Sequence, residues 1–212
     1  PSHPELLDWL AGEFVAGGWR LKALHRLILT STVYRQSATR REDLEAVDPE
    51  NRLLGRQNRL RVEGEIVRDI SLQSAGLLTT RIGGPSVFPP LPAGIAELSY
   101  AGNFKWVEST GADRYRRGLY TFFKRTAPHP SLTIFDCPDA NLTCIERGIS
   151  NTPLQALQLM NDVQHFEAAR ALAERVLAEA GKTTDERLAY LYQTVLSRKP
   201  TSDETALLTA SL

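Results

Sequence analysis

The densest group of residues with chemical potential is one twelve-residue segment, residues 114–125. It holds five basic and four aromatic side chains and no acid. Guanidinium groups bind carboxylate, phosphate or sulfate through paired hydrogen bonds, and aromatic faces suit sugar rings or bases. One interpretation is a binding surface for an anionic ligand or an acidic partner, formed by Arg114, Tyr115, Arg116, Arg117, Tyr120, Lys124 and Arg125. The other is a structural helix whose aromatics fill the core and whose arginines pair with internal carboxylates. The balanced charge of the chain favours the second interpretation, and both stay open.

A second group of candidates is acidic and comprises Glu63, Glu65 and Asp69. Glu65 and Asp69 are four residues apart, so one helical face brings their like charges together unless a cation intervenes. Acid/base chemistry on a carbohydrate needs two such carboxylates about 5–10 Å apart across a cleft. The favoured interpretation is instead a lattice of ion pairs with Arg61 and Arg68, or with the basic segment.

The motifs of common active centres are missing from the sequence. The four histidines have no metal-ligand spacing, residues 83–86 lack the rest of a phosphate loop, and neither Gly-x-Ser-x-Gly nor the haem-attachment motif Cys-x-x-Cys-His occurs. We therefore expect no metal, no cofactor and no standard hydrolase centre in this chain. Cys137 and Cys144 could pair across a turn, but two small buried side chains are the preferred interpretation.

Composition narrows the set of partners. Acidic and basic residues balance at 25 each, so the chain has no bulk field that would draw it to nucleic acid. No apolar run approaches the roughly 20 residues that span a bilayer, so we expect a chain that is not membrane-embedded. The sequence begins without Met and stops inside a helical pattern, which is typical of a fragment of a larger protein.

Helix-capping motifs position the elements that carry these candidates. Residues 2–5 match a capping box for a first helix, which Gly17 and Gly18 should end, and residues 21–30 fit a second helix in a hairpin with it. The candidate acids fall in a third periodic stretch, residues 63–78.

The C-terminal part has the clearest helix start, a capping box at Thr152 with proline at the first helical position. Its helix should run near 28 residues, to Gly181. Thr183 and Thr201 cap two further helices. The basic segment itself has helix-compatible spacing, with a strand as the competing prediction.

Residues 79–113 predict a long loop, because glycines and prolines there suit neither helix nor sheet. The loop has apolar surface to bury on four aromatic side chains, Phe88, Tyr100, Phe104 and Trp106. We expect the polar pair Asn161 and Asp162 to fasten the long helix to this loop.

The predicted fold class is mainly α, an irregular helical array with one long structured Gly/Pro-rich loop region. Residues 1–150 should form the N-terminal hairpin plus core and loop, and residues 151–212 a C-terminal helical array. One continuous domain is the alternative.

Four long stretches, residues 61–69, 83–87, 115–126 and 151–157, resemble the planctomycete secreted domain called domain of unknown function 1553. The opening residues 3–10 and residues 24–28 fit as well, so the resemblance covers nearly the whole chain. It implies an exported protein, periplasmic or extracellular, with upstream domains in the same polypeptide and haem c in a cytochrome domain elsewhere in the parent. It supplies no catalytic residues.

These observations lead to three expectations about function. The preferred one is a non-catalytic binding or docking module that contacts an anionic polysaccharide or its own upstream domains. The alternatives are a carbohydrate-active enzyme domain that uses the carboxylates at Glu63, Glu65 and Asp69, and a structural helical spacer. The spacer predicts no concave pocket lined by residues 114–125.

Overall fold

The computed structural model describes residues 2–92, 94–95 and 105–211. Tyr100 and Phe104, expected to anchor the loop, lie outside the described residues. Within them the chain is helical without a strand, which confirms the mainly α prediction. It divides into two compact units, Pro1–Arg61 and Val62–Leu212. This division falls at a different position from the expected boundary at residue 150.

The N-terminal unit contains a pair of packed helices, α1 (Pro4–Ala16) and α2 (Leu21–Thr30). Gly17 and Gly18 end α1 as predicted, and Gly18 takes a left-handed φ of 73°. The predicted capping box does not form, because His3 occupies the N-cap position and the Ser2 hydroxyl bonds to the His3 ring instead. Neither α1 nor α2, both described in full, has a buried residue.

The rest of this unit is largely irregular, with one short helix, α3 (Glu42–Glu45). Side chains that bond to the backbone hold its turns. Buried Asn51 donates to the Arg56 carbonyl at 2.8 Å, and the Asp48 carboxylate accepts from the amides of Arg52 and Leu53 at 2.7 Å. Such local bonds are typical of Asn and Asp in turns.

The larger unit is built around α4 (Gly64–Ser74). This helix packs against α5 (Pro130–Ile134), α7 (Val163–Glu179) and α8 (Thr184–Leu196), and α9 (Ser202–Ala210) packs on α8. The buried apolar core contains Leu72, Ala75, Val87, Leu132, Phe135, Ala168, Val176 and Leu188. Capping boxes form at Thr152, Thr183 and Thr201, which confirms those three helix starts.

The prediction of one helix from Thr152 to Gly181 is wrong. Two helices occupy that range, α6 (Pro153–Asn161) and α7, and they are separated at Asp162. Asp162 is buried with an extended backbone (ψ 137°), and its carboxylate accepts from the Gln164 amide at 2.9 Å. Aspartate is among the best N-cap residues, so its side chain starts a new helix here rather than continuing the old one.

The basic segment forms neither the predicted helix nor a strand. It contains two short 3₁₀ helices, Gly111–Tyr115 and Gly118–Tyr120, joined by extended residues. The loop runs beside it, with Thr79 N donating to Tyr115 O at 2.9 Å and Val87 N to Tyr120 O at 2.8 Å. In a helix these two carbonyls would accept from amides of the same segment. Here they accept from amides of the Gly/Pro loop instead.

Candidate functional site

Arg116 is the centre of the basic segment and has no exposed surface. Its guanidinium donates to three loop carbonyls, those of Arg81, Gly83 and Pro85, at 2.5–3.2 Å. It also lies 3.7 Å from the centre of the Tyr120 ring, a cation–π contact. Carbonyl oxygens and an aromatic face thus surround the buried cation, so Arg116 folds the loop and is not available to a ligand.

Close backbone approaches explain two of the glycines in this region. Gly84 has a left-handed φ of 93° and lies against the Arg116 guanidinium, where a side chain would be strained. A Cβ atom on Gly118 would clash with the backbone of Glu65. Gly118 therefore allows the basic segment to lie directly on α4.

Arg68 is the second buried arginine and joins α4 to the segment and to α7. It donates to the carbonyls of Arg116 (3.2 Å) and Arg114 (2.7 Å) and to the Gln164 side chain. Burial lowers the pKa of Arg68 to about 10, and nearby carboxylates oppose that shift. The guanidinium remains charged at neutral pH, and it donates its hydrogen bonds to groups inside the protein.

Arg114 and Tyr115 are held by Glu167 of α7. The Arg114 guanidinium forms a fork on Glu167 at 3.0–3.2 Å and also reaches Glu108 at 3.0 Å. The Tyr115 hydroxyl donates to Glu167 at 2.6 Å, and this bond raises the pKa of Tyr115. Both side chains therefore fix the segment to α7, as the structural interpretation of this segment predicted.

The acidic candidates on α4 are also held by arginines. Asp69 is buried; one of its oxygens accepts from Arg117 Nε at 2.7 Å and the other from the Gly118 amide at 2.6 Å. Arg147 forms a fork on Glu65 at 2.8–3.1 Å and lies 3.5 Å from Glu63. Burial acts to raise the pKa of Glu65, but the bonds from Arg147 outweigh it and hold the pKa below its usual value. A general acid needs a raised pKa, so this geometry does not suit Glu65 for that role.

The ion-pair lattice predicted for α4 is confirmed only for Asp69, whose partner Arg117 belongs to the basic segment. Glu65 pairs with Arg147, which the sequence did not single out because it stands alone in the loop before α6. A lone arginine 82 positions away carries no local signal of this contact.

An open cleft of about 690 Å³ lies between α4, α8 and the start of the Gly/Pro loop. Five aliphatic side chains line it, Ile66 and Ile70 from α4, Leu78 and Ile82 from the chain after α4 and Val195 from α8. The polar residues Gln73, Ser74, Thr80, Thr194 and Ser197 line it as well. Arg117 also lines it, with 45% of its side chain exposed. The spacer interpretation predicted no concave pocket lined by residues 114–125, and Arg117 is the residue of that segment that lines this cleft. The spacer function itself stays a prediction.

A small internal cavity of about 20 Å³ lies under α4 and α7. It is lined by His129, which is buried, by His165 and by Thr121, whose buried hydroxyl has no partner among the described residues. His129 donates to the Pro90 carbonyl at 2.9 Å, and Gln164 Nε2 reaches the same carbonyl at 3.3 Å. Burial lowers the pKa of both histidines. The cavity has the size of one water molecule.

The loop is fastened to the core by contacts other than those predicted. Among the described residues, Asn161 bonds within its own helix, to the Leu157 carbonyl, and Asp162 caps α7. Gln164 and His129 bind the loop at Pro90, and Phe88 and Trp106 pack edge to face at 5.1 Å. The expectation that Phe88 and Trp106 would bury apolar surface is therefore confirmed.

The remaining candidate residues of the basic segment, and the two cysteines, differ in how far they are buried. Tyr120 lies under Arg116, and its hydroxyl accepts from the Gly83 amide at 2.7 Å. Lys124 is half-buried and Arg125 is exposed. Both cysteines are free thiols; Cys137 is half-buried but Cys144 is exposed, so the expectation of two buried side chains is wrong for Cys144.

Neither a metal centre nor a membrane span emerges from the described part of the chain. No cluster of three or more His, Cys, Asp or Glu residues there could hold a metal ion. None of its helices is both long enough and apolar enough to cross a membrane.

The geometry defines a class of protein: a helical domain in which buried arginines attach a long irregular loop to the helices, with an open aliphatic cleft beside them. The chain belongs to the family described as a protein of unknown function (DUF1553), whose family model matches residues 1–212. No curated protein and no solved structure matches it.

Proposed function

We propose that this chain is a non-catalytic docking module of an exported, cytochrome-associated polypeptide, and that the hairpin of α1 and α2 binds the upstream domains of that polypeptide. The observation that carries the proposal is the exposure of the hairpin. None of its residues is buried, yet its exposed side chains include Leu6, Leu7, Trp9, Val15, Leu21, Leu27 and Leu29.

Helices of this length are marginal unless their apolar faces are covered. Isolated helices shorter than about 12–15 residues are barely stable in water, and α1 and α2 have 13 and 10 residues. Exposed hydrophobic residues grouped on one element commonly mark interaction sites, and tryptophan is enriched where proteins meet. A protein partner that covers Trp9 and its leucine neighbours would supply the burial that the hairpin lacks.

Charge favours a protein partner over an anionic polysaccharide. The hairpin offers no net basic surface to a polyanion, because Glu5, Asp8 and Glu13 of α1 offset Lys22 and Arg26 of α2. The arginines that suggested a glycan site from sequence are mostly engaged inside the larger unit, Arg114 with carboxylates and Arg116 with carbonyls. The upstream domains, which the family resemblance leads us to expect, are the natural candidates.

The test measures binding of this chain to the separately expressed upstream region by isothermal titration calorimetry. We expect Leu7→Ser with Trp9→Ser to weaken binding at least tenfold, because both side chains are more than half exposed and would lie in the interface. The control is Leu207→Ser, a still more exposed leucine on α9, which should leave binding unchanged.

Circular dichroism of each variant confirms that the helices remain folded. Equal losses for the hairpin and control variants, or no binding of the unaltered chain, would refute the docking proposal. Binding of sulfated or uronic-acid polysaccharide that depends on the hairpin would also overturn the choice of partner.

A further inference from the structure

The aliphatic cleft of the larger unit contains an arginine, Arg117, that is held in a fixed orientation by one of its three nitrogens. Arg117 Nε donates to Asp69, whose other oxygen is held by the Gly118 amide. Asp69 is buried in α4 and both of its oxygens are fixed, so it sets the orientation of the guanidinium. Among the described residues, no partner accepts a hydrogen bond from the two terminal nitrogens of Arg117.

Two free terminal nitrogens on a fixed guanidinium form a fork that matches the two oxygens of a carboxylate. Arg117 and Asp69 are the charged residues among those that line the cleft. Because Asp69 already balances the charge of Arg117, the site suits a monoanion better than a sulfate-rich or phosphate-rich polyanion.

The walls of the cleft specify the rest of the ligand. Ile70 and Ile82 are 43% and 88% exposed, and Val195 is 40% exposed, so apolar surface in the cleft lacks a cover. None of the described residues that line it is aromatic, and stacking on aromatic rings is the usual way that proteins hold sugars and bases. Its volume falls in the range of small-molecule pockets, roughly 300–1,000 Å³.

We infer that this cleft is a binding site for a small aliphatic carboxylate, with the carboxylate on Arg117 and the aliphatic body against Ile66, Ile70, Ile82 and Val195. Asp69 is a positioning residue. The site is independent of the proposed docking function, because it uses none of the residues of the hairpin.

Decanoate, kept below its micelle concentration, is the probe, and calorimetry and ligand-observed NMR on the full chain are the measurements. We expect saturable 1:1 binding, at least tenfold weaker binding of decyl alcohol, and at least tenfold weaker binding of decanoate to Arg117→Gln. Arg117→Lys should bind with intermediate strength, since it keeps the charge but loses the fork. Ile70→Ser should also weaken binding, because it removes apolar surface from the wall of the cleft.

The matched control is Arg81→Gln. Arg81 is likewise a half-exposed arginine paired with one aspartate, Asp113, but it does not line the cleft, so its loss should not alter binding. Unchanged thermal denaturation of Arg117→Gln shows that weaker binding is not unfolding. The inference is overturned if decanoate does not bind, if it binds Arg117→Gln equally well, or if decyl alcohol binds as tightly. It is also overturned if a uronic-acid oligosaccharide or a peptide with an aliphatic C-terminus binds where decanoate does not.

Discussion

The N-terminal unit and the larger unit use the same residue types in opposite ways. In the hairpin, Arg20 donates to the Gly17 carbonyl at 2.9 Å on the surface, and leucines and tryptophans face solvent. In the larger unit, Arg116 makes the same kind of bond to three carbonyls while fully buried, and leucines fill a core. The difference is in burial, and burial determines how much a bond contributes to stability.

The two units also differ in what determines their structure. The hairpin helices follow local signals, and their bounds do not depend on a core of their own. In the larger unit, side-chain bonds between distant parts of the sequence hold the described part of the loop, residues 79–113, in place. We therefore expect substitutions of polar residues to matter far more in the larger unit than in the hairpin.

The largest expected effect is that of Arg116→Met. Methionine keeps much of the buried volume but removes every donor to the loop carbonyls, and a hydrogen bond from a charged group contributes about 1.5–3 kcal/mol. We expect the free energy of unfolding of the larger unit to fall by about 3 kcal/mol, because the loop can regain part of this loss by bonding to water. Urea denaturation followed by circular dichroism measures it.

The matched variant is Arg20→Met, which removes one exposed bond to a carbonyl in the hairpin. Its cost should stay within about 0.5 kcal/mol, as for most surface substitutions. Similar losses for the two arginines would show that burial does not distinguish the two units.

A smaller effect is expected at the helix starts. The Thr152 hydroxyl accepts from the backbone amide of Gln155, and the Gln155 side chain accepts from the backbone amide of Thr152. Loss of the hydroxyl in Thr152→Ala should therefore cost about 1 kcal/mol. Ser2→Ala should cost nothing measurable, because Ser2 makes no capping bond to α1. Thermal denaturation of the two variants side by side tests this difference. A loss at Ser2 as large as that at Thr152 would contradict it.

The helices were largely predictable because their signals are local. Residues 21–30 were predicted as a helix and form one with those bounds, and three capping boxes were identified from a threonine and its partner three residues on. Asp162 was the exception: the apolar pattern runs through it, and only its burial and its bond to the Gln164 amide reveal that it caps α7.

The arginine sites were not predictable for a different reason. The sequence identified Arg114, Arg116 and Arg117 together, but it could not assign one to carboxylates, one to carbonyls and one to a cleft. Apart from Glu108, six positions from Arg114, their hydrogen-bond partners lie 31 to 53 positions away. Gly118 was part of the resemblance motif, yet its purpose, contact with the backbone of Glu65, is visible only in the folded chain.

The smallest expected effect is a pH dependence of stability, which should come from the buried histidines of the larger unit. Burial holds the pKa of His129 below its usual value near 6.5, and His165 is shifted in the same direction. As the pH falls through about 6.5, the unfolded chain takes up protons that the folded chain does not bind. The larger unit should therefore lose stability progressively below about pH 7, until the pH reaches the lowered pKa of the folded state.

Trp106 reports this loss, because its ring lies 5.7 Å from that of His129. In a background with Trp9→Phe and Trp19→Phe, fluorescence-detected urea midpoints between pH 7.5 and 5.5 should fall with pH. This range stays above the titration of Glu65 and Glu167, whose lowered pKa values would add a separate loss only in stronger acid. His129→Asn should flatten the pH dependence, whereas His25→Asn, in the hairpin, should leave it intact. A slope that survives His129→Asn unchanged would show that the buried histidine of the larger unit is not its source.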